Sequence, residues 1–466
     1  MKEVLAWISS FVWGIPMIVA IMGVGLIMTI RLRGFQFRKL GQAFKWSVQN
    51  EEGGEGDVSS FGALCTTMAA TIGTGNIVGV AIAIEVGGPG ALFWMIVAAC
   101  LGMATKYAEG FLAIKYRFKT PDGRFLGGPF AYIENGMGKK WKWLAMLFAF
   151  FAAFAGACGI GTSTQMNGVA TAVESFVDPQ KLHTINIFGN DVTYATVFTA
   201  IIVTGIATFA IIGGIKRIAQ FTEKLVPAMA IIYVLVALAI LIYNYQGIPE
   251  AFSKIFRGAF GLDAAAGGVM GAIFAAMSNG VARGIFSNEA GLGSAPIAIA
   301  AAQTKDAVRQ GLVATVGVFI DTIIICTMTA LVVIVTGTYN DPSVSGAAIT
   351  SKAFGTGLPW ADSVGSFVLM SCLALFAFTT ILGWNYYGEK CFEYLTGGNM
   401  KLVMVYRIVY LAAVFIGPFV ALKTIWAFAD ITNALMALPN LIALVVLSGV
   451  VKRETNEYLQ KTRTRL

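Results

Sequence analysis

Eleven long apolar stretches separated by short polar segments run along the chain, near residues 4–30, 61–86, 91–116, 143–177, 194–214, 225–245, 267–301, 308–337, 361–390, 402–421 and 424–451. At about 20 residues or more, each suffices to cross a hydrocarbon core as an α-helix. The pattern therefore predicts an all-α polytopic membrane protein with eleven transmembrane helices. The loops left over are too short for a soluble domain. The first run, Val4–Ile30, is longer than the apolar part of a signal peptide and passes straight into Arg31-Leu32-Arg33. It lacks a small-residue cleavage site and is expected to remain as a membrane helix.

Composition points the same way. Of 466 residues 57% are hydrophobic and 12% charged, against about 45–50% and about 25% in an ordinary soluble domain. Too few polar side chains remain to cover a water-facing surface, so the bilayer is the main solvent. The same arithmetic excludes collagen, disordered and disulfide-scaffold classes. Six cysteines (Cys65, Cys100, Cys158, Cys326, Cys372 and Cys391) stand in or beside apolar runs without metal-ligand spacing, and read as reduced packing residues. The single histidine, His183, falls in a predicted outer loop, which argues against a His-based catalytic or zinc site. Neither an enzyme nor a resident cofactor is expected.

The net charge of +8 does not indicate nucleic acid, because the basic residues gather in alternate loops. With the N-terminus outside, 25 of the 33 Lys and Arg residues lie in cytoplasmic segments. Six lie outside, at Lys2, Lys181, Lys254, Arg257, Lys352 and Lys423. That bias places the N-terminus outside and the C-terminus in the cytoplasm of a cell (plasma) membrane. It also divides the chain into five parts. Residues 1–58 hold an extra helix and a cytoplasmic segment, 59–245 a first block of five helices, and 246–266 an outer connecting loop. Residues 267–451 form a second block of five, and 452–466 a cytoplasmic tail. Each block opens with a Gly-rich helix interrupted by polar residues, and the two enter from opposite sides, as an inverted repeat would.

Those two openings carry the candidate chemistry. Thr71-Ile72-Gly73-Thr74-Gly75-Asn76-Ile77-Val78-Gly79 makes a poor continuous helix and a good unwound one. Unwinding at mid-membrane frees main-chain groups that cost several kcal/mol each unless protein, water or a ligand satisfies them. A helix N-terminus beyond the break suits a carboxylate, and freed carbonyls suit a cation. Close packing through Gly75 and Gly79 is the alternative use of these glycines, but it leaves the clustered Thr71, Thr74 and Asn76 without a role. The counterpart in the second block runs from Ser278-Asn279-Gly280 to Asn288-Glu289-Ala290-Gly291-Leu292-Gly293. Interrupted segments at matching positions of two halves point to a transporter's midplane site.

At these motifs the chain resembles the alanine or glycine:cation symporters, the sodium:alanine symporter family. The resemblance rests on Ala70-Thr71-Ile72-Gly73-Thr74-Gly75-Asn76-Ile77, Gly87-Gly88-Pro89-Gly90-Ala91-Leu92-Phe93-Trp94-Met95, Gly127-Gly128-Pro129-Phe130-Ala131-Tyr132 and Ser287-Asn288-Glu289-Ala290-Gly291. It implies a leucine-transporter-like five-plus-five inverted repeat with one extra N-terminal helix. It also implies import of a small amino acid, alanine or glycine, with sodium as the coupling ion. By the same resemblance the substrate site is Gly73, Thr74, Gly75, Asn76, Gln165, Met277, Ser278, Asn279 and Gly280. The sodium site is Ala69, Ile72, Phe376, Thr379 and Thr380. Phe376, Thr379 and Thr380 stand at i, i+3, i+4, on one helix face. Gln165 is read either as a substrate contact or as an interhelical hydrogen bond, and the two threonines either as ion ligands or as bonded back to the preceding turn.

Charges inside the apolar runs add further candidates. Lys106 and Glu109 stand one turn apart and are expected to pair. Arg283 and Glu289 flank the second interruption and are candidates for gate bridges. Asp321 and Asp430 are lone acids in long apolar runs, and so functional candidates. The resulting expectation is a secondary active transporter working by alternating access, with the amino acid, sodium and the lipid bilayer as its partners. A proton-coupled transporter on the same scaffold, an ion channel and a membrane-embedded enzyme are the alternatives.

Overall fold

A computed structural model describes residues 12–49, 51–178, 180–187, 190–262, 268–420 and 422–463. Lys2, residues 4–11 of the first apolar run, residues 263–266 of the connecting loop, the Lys423 side chain and residues 464–466 lie outside the described residues. The chain is a multi-pass helical membrane protein. Among the described residues, nine helices are long and apolar enough to cross a bilayer, and Ser60–Thr71 with Gly75–Gly87 forms a tenth span bent by 53°. Ile15–Arg31 is a shorter apolar helix. The loops carry two small hairpins, Phe118–Lys119 with Phe125–Leu126 and Thr184–Ile187 with Asn190–Thr193.

Helix starts follow local capping chemistry. The Ser59 hydroxyl accepts the N–H of Gly62, Thr193 that of Thr196, and Asp306 those of Val308 and Arg309, each satisfying a donor that a helix N-terminus leaves free. Helix Ala91–Tyr116 occupies the centre, packed against Ala307–Val318 and Val269–Asn288. Small residues let the backbones approach. A Cβ on Gly110 would meet Ala314 at 2.9 Å, and one on Gly383 would meet Ala70 at 2.7 Å. Meanwhile Phe150, Phe154, Phe198 and Phe209 point outward, exposed. Large apolar side chains in a belt suit lipid rather than water.

Two expectations about helix continuity change. The run 143–177 is not one helix but Lys142–Cys158 and Ser163–Val177, interrupted at residues 159–162, where Gly159 and Gly161 pack against Ala429 and Trp384. The second broken helix is interrupted further along than expected. Val269–Asn288 winds without a break through Ser278-Asn279-Gly280. The chain then leaves the helix at Glu289 and re-forms at Ala295–Ile299. In the connection, Glu289, Gly291 and Gly293 all take positive φ, at 57°, 93° and 81°. The six cysteines are free, and four of them are buried.

Candidate functional site

The first break is built from its own side chains. Helix Ser60–Thr71 ends where Ile72 turns to extended backbone, and a π-helical turn, Gly75–Gly79, restarts the span. An unbroken helix would send the Gly73 N–H to the Ala69 carbonyl. It goes instead to Asn76 Oδ1, at 2.9 Å. The released Ile72 carbonyl accepts Thr380 Oγ1 at 3.3 Å, and the Thr74 N–H reaches Gln165 Oε1 at 3.4 Å. Wider π-helical turns of this kind recur at functional sites because they leave carbonyls and N–H groups without helical partners.

Thr379 and Thr380 each bond back to the Phe376 carbonyl, at 3.0 Å. The back-bonding alternative is therefore realised, yet Thr380 also reaches across to Ile72. Phe376, Thr379, Thr380 and Ile72 thus present oxygens to one buried spot. A Cβ on Gly73 would stand 2.7 Å from Thr380 Oγ1 and 3.3 Å from Gln165 Oε1. Gly73 is thus the point at which the helices of Thr380 and Gln165 approach the break most closely.

Met277, Ser278, Asn279 and Gly280 are not brought to this spot. They lie in continuous helix, packed against Gly87 and Ala91. Asn279 Nδ2 bonds back to the Ala275 carbonyl at 2.9 Å, and a Cβ on Gly280 would fall 2.1 Å from the Ala91 carbonyl oxygen. The physical reason is packing: Gly280 is small so that Ala91 can approach. The part of this helix that faces the first break is Phe286–Ser287, with Phe286 3.5 Å from a Cβ placed on Gly75. Sequence reasoning missed these two residues, although they fall inside the stretch it singled out.

Asp321 completes the surroundings. It is fully buried in a π-helical segment, Phe319–Cys326. Its carboxylate accepts Asn76 Nδ2 at 2.8 Å, Ser287 Oγ at 2.8 Å and Thr322 Oγ1 at 2.7 Å. Three donors offset the cost of an acid at membrane depth, about 2.5–3.5 kcal/mol on an insertion scale. Through Asn76 and Ser287 this one carboxylate ties both broken helices to a third helix.

The expected Lys106–Glu109 pair does not form. Glu109 Oε1 accepts the N–H groups of Gly291 and Gly293, at 3.1 and 3.2 Å, and Asn440 Nδ2 at 2.7 Å. Among the described residues Lys106 Nζ and Glu109 Oε2 have no hydrogen-bond partner. Nor do Arg283 and Glu289 bridge. Glu289 accepts Trp384 Nε1 and Ser294 Oγ, held in the connection of the second broken helix. Glu109 thus draws on main-chain N–H groups that the interruption releases, and Glu289 on two side-chain donors, which offsets the cost of burying each.

A cavity of about 880 Å³ adjoins the first break, lined by Thr74, Gly75 and Phe286 of the two broken helices and by Ser345, Ser351, Asp362 and Ser366 among others. On the opposite face the chain is latched. Segment 55–58, just before the first broken helix, pairs with 301–304, just after the second. The bonds are Asp57 N to Ala301 O at 2.8 Å, Val58 N to Ala301 O at 3.1 Å, Gln303 N to Val58 O at 2.8 Å and Thr304 N to Glu55 O at 3.2 Å. Arg117 clamps the pairing, donating to the carbonyls of Ala300, Ala302, Glu55 and Thr304 at 2.7–2.8 Å. Burial draws its guanidinium down to about 10, still charged at neutral pH. Burial pushes the Asp57 carboxyl above its ordinary range, while the hydrogen bond from Lys119 pulls that of Glu55 below.

Comparison with known proteins places the chain. The profile of the sodium:alanine symporter family matches residues 1–466. An uncharacterized transporter of Haemophilus influenzae is 49% identical over 463 residues, covering 99% of this chain and 97% of that protein. The sodium/alanine symporter AgcS of Methanococcus maripaludis is 45% identical over 458 residues, covering 97% and 96%. Among solved structures, that of MhsT in complex with L-phenylalanine shares the fold, with a TM-score of 0.58 at 11% identity over 85% of this chain and 90% of that one. The chain belongs to the sodium:alanine symporter family, and is a membrane transporter rather than an enzyme.

Proposed function

We propose that this protein imports alanine and glycine by symport with sodium, through alternating access. The observation that carries the reading is the first break. Beside the cavity that Thr74 lines, the Thr74 N–H and the Ile72 carbonyl turn out of the helix towards Gln165 and Thr380. In this reading the amino-acid carboxylate meets the main chain of Thr74, Gly75 and Asn76, with Gly73 as hinge and Gln165 as a side-chain contact. Phe286 and Ser287 take the wall that the sequence assigned to Met277–Gly280. In this reading the ring packed on Gly75 narrows the space beside the break and favours small side chains.

Sodium is assigned to the carbonyls of Ala69, Ile72 and Phe376 and the hydroxyls of Thr379 and Thr380, a hard-oxygen set. In this reading Ile15–Arg31 is an eleventh crossing beside the nine long spans and the bent pair. With Ile15–Arg31 set aside, five spans fall in 59–245 and five in 267–451, each set opening on a broken helix, which favours the inverted repeat. Segments 1–58, 246–266 and 452–466 flank and join the two. The bias of Lys and Arg favours an outside N-terminus and a cytoplasmic C-terminus. The cavity then opens outward and the 55–58/301–304 latch closes the cytoplasmic side. Each sodium entering contributes about 2.3 kcal/mol per 100 mV of membrane potential, besides its concentration gradient.

Purified protein in liposomes tests this. An inward sodium gradient is expected to drive accumulation of labelled alanine and glycine, competed by each other and not by leucine. Uptake indifferent to sodium but driven by a proton gradient would overturn the ion assignment.

A further inference from the structure

The cavity holds four charged residues: Arg283, Lys352, Asp362 and Asp430. Lys352 is neutralised by an ion pair with Asp341. Asp362 opens helix Asp362–Leu395, and the Asp430 carbonyl accepts Trp13 Nε1 at 2.8 Å. Arg283 differs from all three. It stands well inside the membrane helix Val269–Asn288, yet no hydrogen bond or ion pair holds its guanidinium among the described residues. It is half-buried in the cavity wall, and a cation within a membrane helix that faces a cavity marks a ligand or ion pathway.

Its position is set by its neighbours. Phe286 faces Gly75, and Arg283, one turn back along the same helix, has its Cδ 3.9 Å from a Cβ placed on Gly79. Gly79 stands one turn beyond Gly75 in the first broken helix. The arginine stem therefore lies beside Gly79, one turn further along the first broken helix than the break. Of the group types in the cavity wall, a guanidinium alone offers a planar pair of N–H donors matched to both oxygens of a carboxylate.

We propose that Arg283 is the carboxylate site of the open cavity: it holds the α-carboxylate of the amino acid in the state with the cavity open, and the group passes on to the main chain of Thr74–Asn76 as the cavity closes. This rests on the reading of the cavity as the substrate's route. The residue acts on capture rather than on the conformational step, so its loss falls on KM and spares the maximal rate.

The test compares the wild type with Arg283→Gln and Arg283→Lys, in equilibrium binding of labelled alanine to detergent-purified protein and in sodium-driven uptake into liposomes. Melting temperature and elution profile serve as the folding check. Arg283→Gln is expected to weaken alanine binding and raise KM roughly tenfold or more, the worth of a charge-assisted pair, with the maximal rate within about twofold of wild type. Arg283→Lys should recover only part of the loss, since an ammonium cannot bind bidentately. Alaninamide, which lacks the carboxylate, should compete equally well in wild type and Arg283→Gln. Unchanged alanine binding in Arg283→Gln overturns the proposal. So does an equal loss for alanine and alaninamide, which would mean general collapse of the cavity. Full function in Arg283→Lys together with a requirement for chloride over gluconate would assign the charge to an inorganic anion instead. A wild type that binds alanine without sodium-driven uptake refutes the transport reading alone, and the binding comparison still decides the role of Arg283.

Discussion

Gly56→Ala should unlatch the face opposite the cavity. Gly56 does not occupy the left-handed region, so alanine meets no backbone strain there and the effect is steric. Its Cβ would fall 2.4 Å from the Ala302 carbonyl carbon and oxygen and from the Gln303 nitrogen, where ordinary contact begins at 3.4 Å. All three atoms are main chain and cannot rotate away. The segments must therefore separate by about an ångström at this point, and the Asp57 N to Ala301 O and Gln303 N to Val58 O bonds, each 2.8 Å, stretch past useful length. At about 0.5–1.5 kcal/mol net per bond, losing both costs the latched state about 1–3 kcal/mol. That moves the latched–unlatched equilibrium by about 5- to 150-fold.

Ser60 provides the reporter. It is 1% exposed and its hydroxyl bonds to the Gln303 carbonyl directly behind the pairing. In a Ser60→Cys background, Gly56→Ala should accelerate modification by a membrane-impermeant thiol reagent applied from the latched side by that factor. It should also raise the KM for alanine presented at the cavity side. Gly41→Ala, with nothing within 4 Å of the new Cβ, is the matched control and should change neither. If Gly56→Ala leaves both the labelling rate and KM where they were, the 55–58/301–304 pairing is not what closes that face.

Arg117→Gln should act in the same direction as Gly56→Ala, since it removes donors to four carbonyls at once. Faster Ser60→Cys labelling checks it, and labelling no faster than wild type refutes the clamp. Thr380→Val keeps the side-chain volume and deletes the hydroxyl shared between Ile72 and Phe376. The sodium concentration for half-maximal uptake should rise roughly tenfold, with Thr380→Ser near wild type, and an unaltered sodium curve in Thr380→Val would remove this residue from the ion site. Asp321→Asn turns an amide N–H₂ towards one of three donors, at Asn76, Ser287 or Thr322. A buried mismatch of that kind costs about 1–3 kcal/mol, so thermal melting in detergent should move down by several degrees, and an unmoved transition would contradict the hydrogen-bond network.

How much of this was legible in the chain depends on whether the signal is local. The first break was, because Gly73, Thr74, Gly75 and Asn76 stand together and Asn76 supplies the hydrogen bond that replaces the helical one. The interruption at Gly159–Thr162 was not, since its glycines sit in an apolar run that reads as one span. The 55–58/301–304 latch joins residues some 240 positions apart through main-chain groups, which leave no trace in side-chain pattern. The second break was legible only in part, because glycine does two different jobs along that helix. Gly280 is small for the Ala91 carbonyl to approach, whereas Gly291 and Gly293 supply positive φ.

Glycine counting cannot separate those two uses, but the acids can. Glu109 and Glu289 lie in apolar surroundings where each must find donors, and an intact helix has no main-chain N–H to spare. Glu109 is satisfied by the N–H groups of Gly291 and Gly293, which are available only because the helix has ended at Asn288. An acid buried in one membrane helix therefore predicts a broken turn in another. On that argument the interruption belongs beside Glu289, with its following Gly-Leu-Gly, and not at Ser278-Asn279-Gly280, where no acid stands and every N–H already has its helical partner. Glu109→Gln tests the dependence: an amide nitrogen turned to the two glycine N–H groups would repel them, while its oxygen turned there would keep them. The variant should thus retain the fold with a modestly lower melting temperature, whereas Glu109→Leu, which offers no acceptor, should fail to hold the turn and lose uptake.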